Sequence, residues 1–243
     1  MSHRVALAGN PNTGKSTLFN LLTGLRQHTG NWPGKTVVRA EGELRTDNHT
    51  FQIIDLPGTY SLYSNSADEE VARDYIIFEK PDITLVVVDA TSLERNLNLA
   101  LQVLEMTKNV IVCVNLIDEA RRKGITVDKK ELSRRLGVPV VLLSAREKIG
   151  VIQLMKTMDQ MVDGKISTDP YLIPYEEEVE KKIEEMEPRI KEIFGDSMPS
   201  RWLALRLLDG DKNLLQALKT YIRDPQSVEI KHEPAQGGCC HGA

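Results

Sequence analysis

Along roughly the first two thirds of the chain, short apolar runs alternate with stretches of helical spacing. The runs at 5–8, 51–54, 83–88, 110–115 and 140–143 are apolar at nearly every position, the pattern of strands covered on both faces by helices. Residues 37–44 differ, running toward Phe51 across the polar turn Thr46-Asp47-Asn48, which predicts a hairpin with one antiparallel strand at the edge. The expected fold is α/β, a mixed six-stranded sheet with helices on both faces. After Gly164 the breakers Ser167, Thr168, Asp169, Pro170 and Pro174 interrupt the chain, and no strand-like run follows. Val179, Ile183, Met186, Ile190 and Ile193 then recur at steps of 4, 3, 4 and 3, predicting an amphipathic helix that Pro188 should kink or split. Further helices are predicted at 200–208 and 212–222, the second ended by Asp224-Pro225. The expected division is an α/β unit at 1–168, a small all-helical unit at 169–225, and a polar flexible tail or linker at 226–243.

Composition agrees with a packed core. Of 243 residues, 41% are hydrophobic and 27% charged, and that length suits one large domain or one ordinary domain with a small companion. No uncharged apolar stretch approaches the roughly 18 residues needed to cross a bilayer, and the opening Met1-Ser2-His3-Arg4-Val5 leaves no room for a signal peptide. The chain is therefore expected neither to span a membrane nor to be secreted. A net charge of −4 gives no general attraction to phosphate backbones, so no nucleic-acid partner is expected. Cys113, Cys239 and Cys240 make no disulfide framework. Cys113 reads as a core side chain, and the adjacent tail cysteines with His241 as a poor metal site.

The sharpest chemical signal is Gly9-Asn10-Pro11-Asn12-Thr13-Gly14-Lys15-Ser16, a GxxxxGK[ST] motif between a strand and a helical pattern. Backbone N–H groups of such a loop, from Gly9 through Thr17, converge on phosphates at a helix N-terminus, where the dipole adds positive charge. Lys15 is placed to neutralise the β and γ phosphates, and the Ser16 hydroxyl to complete a magnesium shell. Asp55-Leu56-Pro57-Gly58 follows an apolar strand; Asp55 would hold magnesium through water, and the Gly58 N–H would meet the γ phosphate. Asn115-Leu116-Ile117-Asp118 resembles the base-reading Asn-Lys-x-Asp motif of GTPases, in which the carboxylate accepts from guanine N1–H and its exocyclic amine and rejects adenine. Leu116 replaces the lysine, leaving base stacking to apolar contact. Ser144-Ala145-Arg146 matches the weaker Ser-Ala-Lys motif, whose backbone reads the guanine O6.

With these motifs the chain resembles GTPases of the translation-factor class. Gly30-Asn31-Trp32-Pro33-Gly34-Lys35-Thr36-Val37, Asp55 through Leu62, Ala72-Arg73-Asp74-Tyr75 and Val88 through Leu97 look like the cytosolic G domain of the FeoB family, bacterial and archaeal ferrous iron transporters. The resemblance covers about residues 1 to 165, and the helical unit is similar in position to the family's helical spacer, a nucleotide dissociation inhibitor-like domain. It implies that Gly34, Lys35 and Thr36 belong to a first switch, with Thr36 on magnesium and the γ phosphate only in the triphosphate state. It also implies a potassium ion held by Asn12 and by carbonyls near Gly30 and Trp32, where an arginine finger would act. Lys15, Thr36 and Asn12 are thus the expected catalytic residues, serving GTP and GDP with magnesium and potassium as cofactors. Thr59 stands where Ras-like proteins place a glutamine, so slow intrinsic hydrolysis is expected.

These features lead to a GTP-hydrolysing regulatory domain of a ferrous iron transporter, acting at the cytoplasmic face of a prokaryotic membrane. Its partner is the membrane-embedded permease region of the same full-length protein, and oligomeric state stays open, a homo-oligomer included. Two alternatives also stay open. One is a soluble RNA-associated, potassium-dependent GTPase; the other is a nucleotide-binding switch with negligible hydrolysis.

Overall fold

A computed structural model describes residues 2–24, 27–32, 35–63 and 66–223 of the chain. Gly34 and residues 226–243, with Cys239, Cys240 and His241, lie outside the described residues. The first unit runs β1 (Ser2–Gly9), α1 (Lys15–Thr23), β2 (Gln27–Asn31), β3 (Val38–Arg45), β4 (Thr50–Asp55), α2 (Ala67–Asp74), β5 (Ile83–Asp89), α3 (Leu93–Met106), β6 (Val110–Asn115), α4 (Ile117–Arg122), α5 (Lys129–Leu136), β7 (Val140–Leu142) and α6 (Val151–Val162). Three helices follow: α7 (Glu177–Phe194), α8 (Ser200–Asp209) and α9 (Lys212–Arg223).

The strands form a seven-stranded sheet in the order β2-β3-β4-β1-β5-β6-β7. β4, β1, β5, β6 and β7 are mutually parallel, while β3 is antiparallel to both β4 and β2. The α/β class and mixed sheet agree with the sequence pattern, but the strand count is one higher than the six expected. The added strand, β2, has the sequence QHTGN, with no apolar side chain and all but Gln27 exposed. A strand held by its backbone ladder to β3 and by the Gln27 amide on the end of α1 buries no apolar face, so it writes no hydrophobic period into the sequence.

Alternation within the strands builds two cores. Val5, Leu7, Ile53, Leu85, Val87 and Cys113 face Leu18, Phe19 and Leu22 of α1 and Leu154 and Met158 of α6. Ala6, Ile54, Val86, Val88, Val112 and Val114 face the opposite layer, which includes Val71 and Ala72 of α2 and Leu99 and Val103 of α3. That second core continues without a break into the helical unit through Ile183, Ile190, Trp202, Leu203, Leu214 and Leu218. Phe78, in the π-helical turn after α2, packs on Tyr221 of α9 with ring centroids 5.3 Å apart.

α7 runs through Pro188 as one 18-residue helix, so the proline does not split it. Pro188 and Glu184 are both exposed, so the carbonyl left without its helical donor belongs to a residue on the solvent side, where water can replace the bond.

Candidate functional site

Parallel strands bring their C-terminal ends to one edge of the sheet, and the motif residues collect there. β1 ends at Gly9, β4 at Asp55 and β6 at Asn115. Gly9 is required by proximity, because a Cβ there would lie 2.7 Å from the Val87 carbonyl oxygen. Asn10 is buried, Asn12 is exposed with φ 66, and the Thr13 hydroxyl donates to the Asn10 carbonyl at 2.9 Å. Gly14 caps α1 with φ 79 and no side-chain cap, and no acidic residue stands in the first turn. The positive end of the α1 dipole is therefore uncompensated by the helix itself, which suits an anion. Ser16 and Thr17 lie exposed in that turn.

The Lys15 ammonium is buried, donating to the Asp55 carboxylate and, at 2.6 Å, to the Leu56 carbonyl. Burial pushes the Asp55 carboxyl above its ordinary range, and the adjacent Lys15 offsets only part of that rise. The following loop is anchored to the same edge. Leu56 N–H donates to the Leu7 carbonyl at 3.0 Å and Thr59 N–H to the Gly9 carbonyl at 3.3 Å. Pro57 lies between these anchors, and Gly58 lies against Pro11 of the phosphate-type loop.

Asn115 is fully buried and joins three motif segments. Its Nδ2 donates to the Thr13 carbonyl at 2.9 Å, and its Oδ1 accepts from the Ala145 N–H at 3.0 Å. This explains Gly14 a second time, since a Cβ there would stand 2.4 Å from Asn115 Nδ2. Leu116 adopts the left-handed conformation with φ 62 and caps α4, a strained turn for a branched side chain. It delivers Asp118 to the first turn of α4, where the residue is 8% exposed.

Asp118 Oδ2 accepts from Arg122 Nη2 at 2.8 Å, whereas Oδ1 is buried with no hydrogen-bond partner among the described residues. Burial pushes its carboxyl up, but the nearby Ser144 hydroxyl and the Arg122 guanidinium outweigh this and hold it below the ordinary range. Ser144 and Ala145 are buried beside it, while Arg146 is exposed. An ionised carboxylate with one oxygen unpaired among the described residues can accept from a donor that enters the site.

The segment before β3 is placed differently. Gly30 pairs with Arg39 in the β2–β3 ladder. Trp32 is buried, its ring edge-on to Tyr75 with centroids 5.5 Å apart, and its carbonyl accepts from the Lys35 N–H at 3.0 Å. Thr36 is exposed. The Lys35 ammonium donates to Glu70 of α2 at 2.6 Å, so in this structure its partner is a protein carboxylate.

Sequence reasoning missed the charged links behind these loops. Glu70 also accepts from Asn213 Nδ2 of α9 at 2.7 Å. Arg73, 1% exposed, donates to Asp74 at 2.8 Å and to Asp211 at 3.1 Å. The Arg206 guanidinium stacks 4.6 Å from the Tyr63 ring centroid. Arg122 alone left a signal, its i,i+4 spacing from Asp118; the others join residues up to 143 positions apart. No helix among the described residues is long and apolar enough to cross a membrane.

Residues 3–158 match the family model described as ferrous iron transport protein B, and residues 175–235 the model described as the FeoB cytosolic helical domain. A relative from Methanocaldococcus jannaschii, described as an Fe(2+) transporter FeoB, is 45% identical over 218 residues, covering 90% of this chain and 32% of that protein. The chain spans about a quarter to a third of the length of the curated relatives it matches. The cytosolic domain of T. maritima FeoB in a GDP form superposes with a TM-score of 0.80 at 35% identity, covering 97% of this chain and 88% of that one. Its GMPPNP form gives 0.77 at 34% identity, covering 96% and 88%. The chain belongs to the ferrous iron transport protein B family, as a cytosolic G domain followed by a helical domain.

Proposed function

We propose that this chain binds GTP and GDP with magnesium at the C-terminal edge of its sheet and hydrolyses GTP slowly, as the cytosolic regulatory part of a ferrous iron transporter. The full-length protein would supply the membrane permease and place this part at the cytoplasmic face. The observation that carries the reading is Asn115, one buried side chain bonded to both the Thr13 and the Ala145 backbone, with Asp118 Oδ1 left unpaired beside it. Related cytosolic domains carrying GDP or GMPPNP support the nucleotide class.

In this reading the N-terminus of α1 and Lys15 take the phosphates, Asp118 takes the base edge, and Ala145 and Leu116 flank the base. Ser16, Asp55 and Thr36 are hard oxygen donors of the kind magnesium prefers, and the ion would offset charge on the β and γ phosphates. Lys15 would exchange its Asp55 contact for phosphate. The Asn12 side chain and the carbonyls of Gly30 and Trp32 would likewise suit potassium, supplying positive charge where an arginine finger acts in other GTPases. Thr59, buried with its N–H on Gly9, has too short a side chain to orient water as a glutamine does, which supports a slow rate.

The nucleotide state would reach the helical unit, which we place at 169–225, through α2. Lys35 and Asn213 share Glu70, and Arg73 holds Asp211. Loss of the γ phosphate would free Thr36 and shift Lys35, altering the α2 face on which α9 rests. Titration with mant-GTP and mant-ATP, then hydrolysis in potassium against sodium, tests the proposal. A strong guanine preference and faster turnover in potassium are expected; equal affinity for the two purines, or equal rates in the two salts, contradicts it.

A further inference from the structure

Asp118 and Arg122 form an i,i+4 pair of unequal partners, the carboxylate 6% and the guanidinium 64% exposed at the side chain. Arg122 Nη2 donates to Oδ2 at 2.8 Å and Nε to the Asp118 carbonyl at 3.3 Å, so one planar group grips both the side chain and the backbone of the same residue. An exposed helix pair of this spacing normally contributes little to stability. Here one member is buried at the end of a strained left-handed turn, and the pairing acts on geometry instead.

A carboxylate turns about its terminal torsion in a broad, shallow well. Fixing Oδ2 restricts that freedom, with the Ser144 hydroxyl nearby, and leaves Oδ1, buried and without a hydrogen-bond partner among the described residues, with capacity for a donor. We infer that Arg122 is a positioning residue for base selection, holding the Asp118 carboxylate in the single orientation that presents Oδ1 to the N1–H and exocyclic amine of a guanine-type purine. The inference rests on Asp118 reading the base, as proposed above. The ordering cost of the acceptor is met before the nucleotide arrives. Arginine suits the task because its fork donates to two acceptors at once, which an ammonium on a flexible stem does less well.

The test is competition of GDP and ADP against mant-GDP on the full chain, in wild type, Arg122→Ala and Arg122→Lys, with melting temperature recorded in parallel. Arg122→Ala should weaken GDP about three- to tenfold and leave ADP unchanged, so that the GDP-to-ADP ratio falls. Arg122→Lys should recover at least half of that loss on a logarithmic scale. A ratio within about twofold of wild type, equal losses for both nucleotides, or no recovery by lysine would overturn the inference. Asp118→Asn, assayed with GDP and xanthosine diphosphate, separates the two layers. If it moves the preference to xanthine while Arg122→Ala is silent, only the positioning role fails. If it leaves guanine preferred, the base-reading assignment fails and takes the Arg122 inference with it.

Discussion

Asn115 reaches back 102 positions in sequence to donate its side-chain amide to the Thr13 carbonyl at 2.9 Å. Its other amide atom accepts from the Ala145 backbone at 3.0 Å, so the loop after β1, the loop after β6 and the loop after β7 are fixed by one residue. The site is assembled by strand ends but registered by this side chain.

Removing it should therefore damage stability and binding together. Asn115→Ala leaves a buried carbonyl and a buried N–H unpaired, which should cost about 2–4 kcal/mol. Guanine nucleotide affinity should fall at least about tenfold because all three loops lose register. Chemical denaturation and mant-GDP titration measure the two effects; an unchanged affinity would show that the loops hold their places without it.

Gly14→Ala separates the loop from the fold. The added Cβ would meet Asn115 Nδ2 at 2.4 Å at a residue with φ 79, and the strain should be relieved by shifting the loop. The expected protein is folded by circular dichroism and at least about tenfold weaker for GDP.

Lys15→Ala removes the only cation bonded to Asp55 among the described residues. The Asp55 carboxyl, already above its ordinary range through burial, should rise further. Nucleotide affinity should drop by about 100-fold or more, since a charged contact to phosphate is lost from a largely desolvated site. Isothermal titration with GDP checks this, and retention of wild-type affinity would contradict the phosphate assignment of the loop.

The helical unit should show an acid-sensitive joint of its own. Glu180 takes two hydrogen bonds from Arg201, at 2.6 and 2.7 Å, and a third from the Tyr175 N–H at 2.8 Å. The Arg201 contact, then the Tyr175 N–H, hold its carboxyl down at about 2, against an ordinary 4.5. A depressed carboxyl stabilises the fold in full above its unfolded value, so this contribution should be present above about pH 4.5 and lost as pH falls toward 2. Arg201→Ala should lower stability by about 1 kcal/mol at pH 7, and the difference from wild type should shrink in acid. Melting curves from pH 7 to about pH 3 measure it.

Glu70→Ala releases Lys35 and Asn213 at once. If α2 links nucleotide state to the helical unit, GDP dissociation should change about two- to fivefold with little change in melting temperature, because the contacts are exposed and individually weak. Stopped-flow release of mant-GDP gives the rate; an unaltered rate would place the link elsewhere, with Arg73 and Asp211 next to test.

What could be read from the sequence follows from which interactions leave a local trace. β1, β5 and β6 announce themselves because both faces are buried, and Gly14, Lys15, Asp55, Asn115 and Asp118 because their spacing is set by a strand end followed by a turn. β2 leaves no apolar period because all but one of its residues are exposed, and Pro188 does not split its helix because it and Glu184 lie on the exposed side. The role of Asn115 as a three-loop tie, and the Glu70, Arg73 and Arg206 contacts, depend on partners chosen by tertiary packing. A pattern in one dimension contains no term for them.

The polar edge strand has a mechanical consequence. β2 is secured by its ladder to β3 and by almost no buried side chain, so peeling it away exposes little new hydrocarbon to water. What must be surrendered is the ladder to β3 and the Gln27 side-chain bonds to Asn20, Thr23 and Gly24, polar contacts readily traded for bonds to solvent. The exposed residues Gln27 to Asn31 can therefore shift at low energetic expense as far as the buried Trp32, which anchors the end of the strand on Tyr75, while the parallel strands behind stay rigid. It is a hinged margin on a stiff frame.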